Sequence, residues 1–196
     1  MITIAINSIE LAFKTENSVF SPKAIDKGTL AMISAVDFTP GDKLLDLGCG
    51  YGVVGVYAAK LIGEQNVVMS DNDEKCIALS RENAKLNGVG GISIVLSNGF
   101  DSIPDNDFTL ILSNPPYHSD FSVPKHFIEK GFNRLKVGGK MYMVTKRRDW
   151  YRNKLTAIFG GTRVIEAGEY YVFCSEKRGT QYAKGGRNDD CGSSPQ

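Results

Sequence analysis

Residues 43–62 read KLLDLGCGYGVVGVYAAKLI. The run Lys43–Leu47 is short, apolar and closed by glycine, the pattern of a buried strand, while Val53–Ile62 carries the alanines and valines of a helix that packs on it. Between them lies DLGCGYG, with Gly48, Gly50 and Gly52 at alternate positions. The stretch is a strand, a tight loop and a helix, the first half of a βαβ unit.

The alternation continues downstream. Val67–Met69 supplies the next strand, Asp73 caps a helix over Glu74–Leu86, and Gly88 ends it after Asn87. Cys76, Ile77, Leu79, Ala84 and Leu86 share one face of that helix, and Glu74, Arg81, Glu82 and Lys85 take the other. Strands over Ile92–Leu96, Phe108–Ser113 and Lys140–Thr145, with helices near Lys125–Leu135 and Trp150–Phe159, complete the series. Such a series calls for a mostly parallel sheet with helices on both faces, because parallel strands need crossovers and these wind right-handed. The end departs from it: Arg163–Ala167 and Tyr170–Cys174 are separated only by Gly168-Glu169 and pair as an antiparallel hairpin.

Upstream, Ile2, Ile4 and Ile6 alternate, and Ile9, Leu11 and Phe13 follow an Asn7-Ser8 turn, giving an N-terminal hairpin. From Ala24 to Val36, Ile25, Leu30, Ile33 and Val36 fall at helical steps before Pro40-Gly41 breaks the chain. The expected architecture is α/β and Rossmann-like: one domain over residues 1–176, with 1–42 preceding the sheet, and a flexible polar tail over 177–196.

Composition narrows the function classes. Across 196 residues, 42% are hydrophobic and 23% charged, which fits a folded globular domain and excludes disordered and fibrous classes. Twenty-three Lys and Arg against 22 Asp and Glu give a net charge of +1, so bulk charge is not what would hold a nucleic acid. Cys49, Cys76, Cys174 and Cys191 form no Cys-x-x-Cys pair, and His118 and His126 are the only histidines, so no zinc pattern can be assembled and no metal is expected. The cysteines read as reduced thiols of a cytoplasmic protein. The first residues lack a signal-peptide profile, and no run approaches the ~18 apolar residues of a membrane span.

In an open parallel sheet, ligands bind beyond the carboxyl ends of the strands, which places the loops after Leu47, Met69, Leu96 and Ser113 on one rim. Gly48, Gly50 and Gly52 clear side chains from that rim and allow the main chain to approach a ligand. Asp46 precedes them, and Asp71 ends the next strand, where a carboxylate suits the two vicinal hydroxyls of a ribose. Nucleoside binding follows. A competing reading takes Gly50, Gly52 and Gly55 as the dinucleotide pattern G-x-G-x-x-G with Asp71 ~20 residues on, which would make the chain a nicotinamide-dependent oxidoreductase. That register leaves Asp46 and Gly48 inside the strand end, where apolar residues belong; the register starting at Asp46 fits better.

Asn114-Pro115-Pro116-Tyr117 follows the strand Phe108–Ser113 and shares the rim. The prolines fix φ and withhold N–H donors, leaving a stiff loop that presents acceptors. An amino group suits it: Asn114 offers a side-chain oxygen, Pro115 a carbonyl, and Tyr117 a flat face for a planar base.

These motifs together resemble the class I S-adenosylmethionine-dependent methyltransferases, which carry Asp/Glu-x-Gly-x-Gly-x-Gly and, in members that methylate amines, Asn/Asp-Pro-Pro-Tyr/Phe. More narrowly, SVFSPKAIDKGTLAMI, LLDLGCGYGVVGVYAA and NPPYH in this order look like the small-domain methyltransferases related to ribosomal RNA small subunit methyltransferase C, which act on guanine N2. The resemblance spans residues 1–176. It implies that Gly48, Cys49, Gly50 and Gly52 cradle the methionine part of S-adenosylmethionine with Asp46 near its amino group, and that Asp71 with Asn72 holds the ribose. Asn98 with Gly99 stands where many relatives place an acidic residue for the adenine amino group, and accepts through its amide oxygen. Asn114 and Pro115 would bind the target amine, with Pro116 stiffening the turn and Tyr117 stacking on the ring. The products would be a methylated amine and S-adenosylhomocysteine, and the partner the resemblance implies is an RNA substrate, ribosomal RNA or the ribosomal subunit.

Within the enzyme class, NPPY also serves adenine-N6 and protein glutamine methyltransferases; the latter usually carry an N-terminal helical domain, for which the 42 residues before the sheet are too few. His118 and His126 read as loop or surface histidines. Lys146, Arg147 and Arg148 on the rim fit either a phosphate contact or a solvated charge run, and Lys177, Arg178, Lys184 and Arg187 read as tail solubility. Nothing in the sequence points to a particular oligomeric state.

Overall fold

The computed structural model describes residues 1–116 and 121–179. Among the described residues nine strands and five α-helices run in the order β1 (Ile2–Ile6), β2 (Ile9–Phe13), α1 (Lys27–Ser34), β3 (Leu44–Leu47), α2 (Val53–Ile62), β4 (Val67–Asp71), α3 (Glu74–Leu86), β5 (Ser93–Leu96), β6 (Phe108–Ser113), α4 (Ser122–Arg134), β7 (Leu135–Thr145), α5 (Arg148–Phe159), β8 (Arg163–Ala167) and β9 (Tyr170–Glu176). β1 and β2 form a separate hairpin, and the other seven strands form one sheet in the order β5-β4-β3-β6-β7-β9-β8. The strands from β5 to β7 are mutually parallel, and β9 runs antiparallel to both β7 and β8. The chain leaves β3 toward β4 on one side and returns to β6 on the other, so the crevice at their carboxyl ends is the topological switch point. No helix among the described residues is long and apolar enough to cross a membrane.

The two-residue period of β3 distributes its side chains between two cores. Leu44 joins α2, α3 and the N-terminal hairpin on one face, and Leu45 and Leu47 join Phe127, Ile128, Tyr151 and Leu155 of α4 and α5 on the other. Asp46 therefore shares the face of Leu44 and lies beneath α2.

Several boundaries move from their sequence expectations, each for a local reason. The helix read over Ala24–Val36 starts only at Lys27, because the Asp26 carboxylate caps it by accepting from the Thr29 N–H at 2.9 Å. The helix read near Lys125–Leu135 starts at Ser122, with Pro124 in its first turn, where no N–H is needed, and ends at Arg134 as Leu135 becomes extended. The strand read over Lys140–Thr145 begins at Leu135; its register against β6 shifts between Phe108 and Leu110, around Gly138 and Gly139. The helix read from Trp150 starts at Arg148. β4 reaches Asp71 and β9 reaches Glu176, beyond Met69 and Cys174, while β3 and β5 begin one residue later, at Leu44 and Ser93. Lys177, expected in the tail, is part of the fold: its N–H donates to Gly139 O at 2.9 Å and its Nζ to Leu135 O at 2.7 Å. The rest of the expected tail lies beyond the described residues from residue 180.

The hairpin is tied to the main body through amides. Asn7 and Ser8 both have positive φ, as a two-residue hairpin turn requires. Asn87, at the C-cap of α3, pairs with both backbone groups of Ala12, and Asn83 within α3 does the same for Lys14 while also donating to Tyr51 O at 2.8 Å. Two asparagines thus take the place of a further strand along β2. Asn83 is fully buried. Asn83→Ala leaves Lys14 N, Lys14 O and Tyr51 O without that partner, at about 1–3 kcal/mol for each buried group left unpaired; a loss of at least ~2 kcal/mol in urea unfolding is expected, and a loss below ~0.5 kcal/mol would show that water replaces the amide.

Candidate active site

The carboxyl ends of β3, β4, β5 and β6 open into a cavity of about 360 Å³. At its floor Gly48, Gly50 and Gly52 adopt φ of +76°, +55° and +93°, a region in which side chains are strained. A Cβ on Gly50 would meet nothing within 4 Å, and one on Gly48 only Phe127 at 3.9 Å, so the loop is bare on its open side.

That bareness is held from beneath. Gly48 N and Cys49 N both donate to Ser70 O at 2.9 Å, Ser80 Oγ donates to Gly50 O at 2.8 Å, and the Asp71 carboxylate accepts from Gly50 N at 2.8 Å and Asp73 N at 3.0 Å. Asp46 Oδ2 accepts from Gly55 N, in the first turn of α2, at 2.9 Å. Asp46 reaches the cavity wall, but its bond is made under the helix, and the orientation follows from the face it occupies in β3. The third glycine of the competing fingerprint is a packing residue: a Cβ on Gly55 would lie 2.1 Å from Met69 Sδ.

Among the described residues, four aspartates, Asp26, Asp46, Asp71 and Asp73, line the cavity, and no lysine, arginine or histidine does. Burial, only partly opposed by the Gly55 N–H, pushes Asp46 up to about 7, with the charge of Asp71 adding to the rise. Burial also raises Asp71, against the N–H groups of Gly50, Asp73 and Asn72. It raises Cys49 well above the ordinary thiol range and Cys76 to about 12. Neither lining thiol is a thiolate nucleophile. The described cysteines Cys49, Cys76 and Cys174 are all free.

The far wall is built by β6 and α1. Asn114, Pro115 and Pro116 line the cavity; Tyr117, with His118, lies outside the described residues. Asn114 Nδ2 donates to Asp26 Oδ2 and to Thr29 Oγ1, both at 3.0 Å, while Asn114 Oδ1 is buried and has no partner. A carboxylate accepts only, so the nitrogen faces Asp26 and the oxygen is the free end. Asp26 Oδ1 in turn accepts from the Tyr170 hydroxyl at 2.9 Å. Sequence reading missed Asp26, Thr29 and Tyr170 as site residues; the signal was the capping pattern Asp26-x-x-Thr29 within SVFSPKAIDKGT.

Asn72, Asn98 and Gly99 also line the cavity, and Asn98 is exposed, with its Nδ2 3.3 Å from Asp101. His126 is a correction: it stands in α4 with Nε2 buried and unpartnered, packed against Phe100 rather than out in a loop. On the rim, Lys146 pairs with Glu169 and Arg148 with Glu166, while Arg147 lies over Phe121, which stacks on Trp150 at 4.3 Å. The charge run is thus largely spent on local partners. No group of metal-ligating side chains occurs among the described residues.

An acidic cavity without a cation suits a positively charged ligand. It is a poor seat for a pyrophosphate, because the first-turn Gly55 N–H of α2 is already taken by Asp46. The bare glycine loop, the carboxylate at the end of β4 and the unpartnered oxygens of Asn114 and Ser70 fit S-adenosylmethionine, with its sulfonium, ammonium and ribose.

Comparison with known proteins agrees. The methyltransferase small domain family matches residues 10–174, and the chain belongs to that family of S-adenosylmethionine-dependent methyltransferases. The ribosomal RNA small subunit methyltransferase C of Serratia proteamaculans (strain 568) is 32% identical over 169 residues, covering 84% of this chain and 48% of that protein. YbxB of Bacillus subtilis (strain 168), an uncharacterised protein, is 29% identical over 174 residues, 86% of this chain and 87% of its own length. Among solved structures, a Thermus thermophilus 16S rRNA guanine-N2 methyltransferase in complex with AdoMet and guanosine superposes with a TM-score of 0.82 at 25% identity, over 90% of this chain and 50% of that one. The chain spans about half the length of the methyltransferase C relatives it matches. Family membership removes the nicotinamide alternative.

The raised Asp46 sets a pH dependence. Its folded value of about 7 exceeds the unfolded 3.8, so its contribution to stability is full below the unfolded value and is lost as pH rises through the folded one. Thermal melting of the wild type should therefore fall more steeply between pH 5 and 8 than that of Asp46→Asn, which keeps an acceptor for Gly55 N and cannot ionise. Parallel curves for the two proteins would remove Asp46 as the titrating group.

Proposed function

We propose that this chain methylates an exocyclic amino group, guanine N2 of ribosomal RNA, and that it does so in the cytoplasm. The observation that carries the reading is the buried, unpartnered Oδ1 of Asn114 at one end of an acidic, glycine-floored cavity. The substrate follows from the likeness to the methyltransferase C proteins and to the structure solved with guanosine.

On this reading Gly48, Cys49, Gly50 and Gly52 hold the methionine part of the cofactor, Asp46 lends the floor its negative charge, and Asp71 with Asn72 binds the ribose. Asn98 and Gly99 take the adenine edge. When bound, S-adenosylmethionine supplies an electrophilic methyl group on a sulfonium. The exocyclic amine is a weak nucleophile because its lone pair is delocalised into the ring. Asn114 Oδ1 and the Pro115 carbonyl accept from its hydrogens off the ring plane, favouring the pyramidal form whose lone pair can attack; the N–C bond would form as the S–C bond breaks to leave S-adenosylhomocysteine, and the methylated amine would release one N–H proton to water. Pro116 keeps the loop stiff and free of a competing N–H. Tyr117 supplies the stacking surface. Positioning of this kind can lower a barrier by about 7–11 kcal/mol without a strong base.

Transfer of tritiated methyl from labelled cofactor to ribosomal subunits, total RNA and protein, followed by nucleoside analysis, tests the reading: label in N2-methylguanosine is expected. Label in N6-methyladenosine or methylglutamine would reassign the target, and no incorporation into any of them would overturn the function. Asn114→Ala should slow single-turnover transfer about a hundredfold or more, as for loss of one transition-state hydrogen-bonding group, with little change in S-adenosylhomocysteine affinity. Asp71→Ala should do the reverse, weakening S-adenosylhomocysteine binding in calorimetry by about 1.5–3 kcal/mol for each charge-assisted bond lost. Tyr117→Ala should lose stacking worth about 1–3 kcal/mol, and Tyr117→Phe should be mild.

A further inference from the structure

The wall behind Asn114 contains a buried cluster of hydrogen bonds centred on Asp26. Asp26 is 9% exposed and Tyr170, at the start of β9, is 6% exposed. One carboxylate serves three donors: Thr29 N and Asn114 Nδ2 on Oδ2, and the Tyr170 hydroxyl on Oδ1. With Thr29 Oγ1 as second acceptor, both hydrogens of the Asn114 amide are used. Rotating that amide by half a turn would set its oxygen against the carboxylate and leave its hydrogens facing the cavity. Gly28 completes the arrangement: a Cβ there would lie 2.6 Å from Tyr170 Cδ1 and 2.9 Å from Asp26 Oδ2.

We propose that Asp26 is a positioning residue, held by Tyr170, that fixes the Asn114 amide with its oxygen toward the substrate. The proposal rests on the reading of Asn114 as acceptor for the target amine. It makes α1, which precedes the sheet, and the C-terminal hairpin parts of the reacting centre. Residues 26, 114 and 170 meet only through the fold, so the amide is aimed by two elements outside the strand that carries it.

Two measurements test it on the full chain. In the first, hydrogen exchange of the Asn114 side-chain NH₂ is followed by NMR, the signal being assigned by its loss in Asn114→Ala. Asp26→Ala should accelerate that exchange at least about tenfold, and Tyr170→Phe, which removes only a hydroxyl, should accelerate it less. Unchanged exchange in Asp26→Ala overturns the proposal whatever the enzyme methylates.

In the second, single-turnover methyl transfer to RNA is compared in a double-mutant cycle. Asp26→Ala should slow transfer about 10–100-fold in the wild-type background, the scale of a misplaced reacting group, and not at all in Asn114→Ala. Asp26→Asn, which can still accept from the amide, should recover part of the loss. Gly28→Ala, whose Cβ would meet both Tyr170 and Asp26, should slow transfer in the wild-type background and not in Asn114→Ala. Equal slowing by Asp26→Ala in both backgrounds would mean general damage and overturn the positioning role. Failure of the wild type to label any RNA would overturn the proposed substrate, while the exchange measurement would still decide the role of Asp26.

Discussion

A loop whose three glycines stand in left-handed conformations has no side chain at those positions to hold it, and the rest of the site depends on how this loop is fixed. The bonds come from every neighbour. Ser70 O receives two of its N–H groups, Asp71 a third, Ser80 and Asn83 donate to its carbonyls, and Asp46 secures the helix that follows. Asn83 extends the same fixation to the N-terminal hairpin through Lys14. All the support is spent on the underside, so the upper face of the loop is left to a ligand.

The support has an electrostatic cost that shapes ligand choice. Asp46 and Asp71 lie at the ends of adjacent parallel strands; burial raises both, and the charge of Asp71 adds to the rise at Asp46 as that of Asp73 does at Asp71. No cation among the described lining residues offsets them. A cationic ligand would relieve the repulsion, whereas an anionic one would add to it and find Gly55 N already occupied. The glycine spacing G-x-G-x-x-G is satisfied here by the close approach of Gly55 to Met69, so the same letters arise from helix-on-strand packing without a dinucleotide.

What the sequence disclosed was local in origin. The strand-loop-helix at residues 43–62, the carboxylate at the end of β4 and the stiff loop after β6 are written in neighbouring residues, and the alternation of elements sets the switch point that gathers them. What it concealed was set by distance. Asn83 meets Lys14 across 69 positions, and Tyr170 meets Asp26 across 144. No periodicity encodes such pairs. The start of β7 was hidden for a related reason: the sequence KVGG reads as a turn, and only pairing with β6 and Lys177 makes it strand. Asp26 was legible as a helix cap, but its second task needs the topology.

An asparagine at a methyl-transfer site faces a problem that an aspartate does not. Its two ends are nearly the same in shape and opposite in hydrogen bonding, and only the oxygen can accept from an amine. A carboxylate on the nitrogen side resolves the ambiguity, because it repels the oxygen as surely as it accepts from the NH₂. Burying that carboxylate would be costly if it were unpaired, and here Thr29 N, Tyr170 Oη and Asn114 Nδ2 together satisfy it. The negative charge then sits behind the proposed acceptor, where it polarises the amide and makes its oxygen a better partner for a hydrogen on a developing ammonium. An amide backed by a carboxylate thus approaches the electrostatics of an acid while remaining neutral itself, in a cavity whose lining carboxylates Asp46 and Asp71 are already raised by burial.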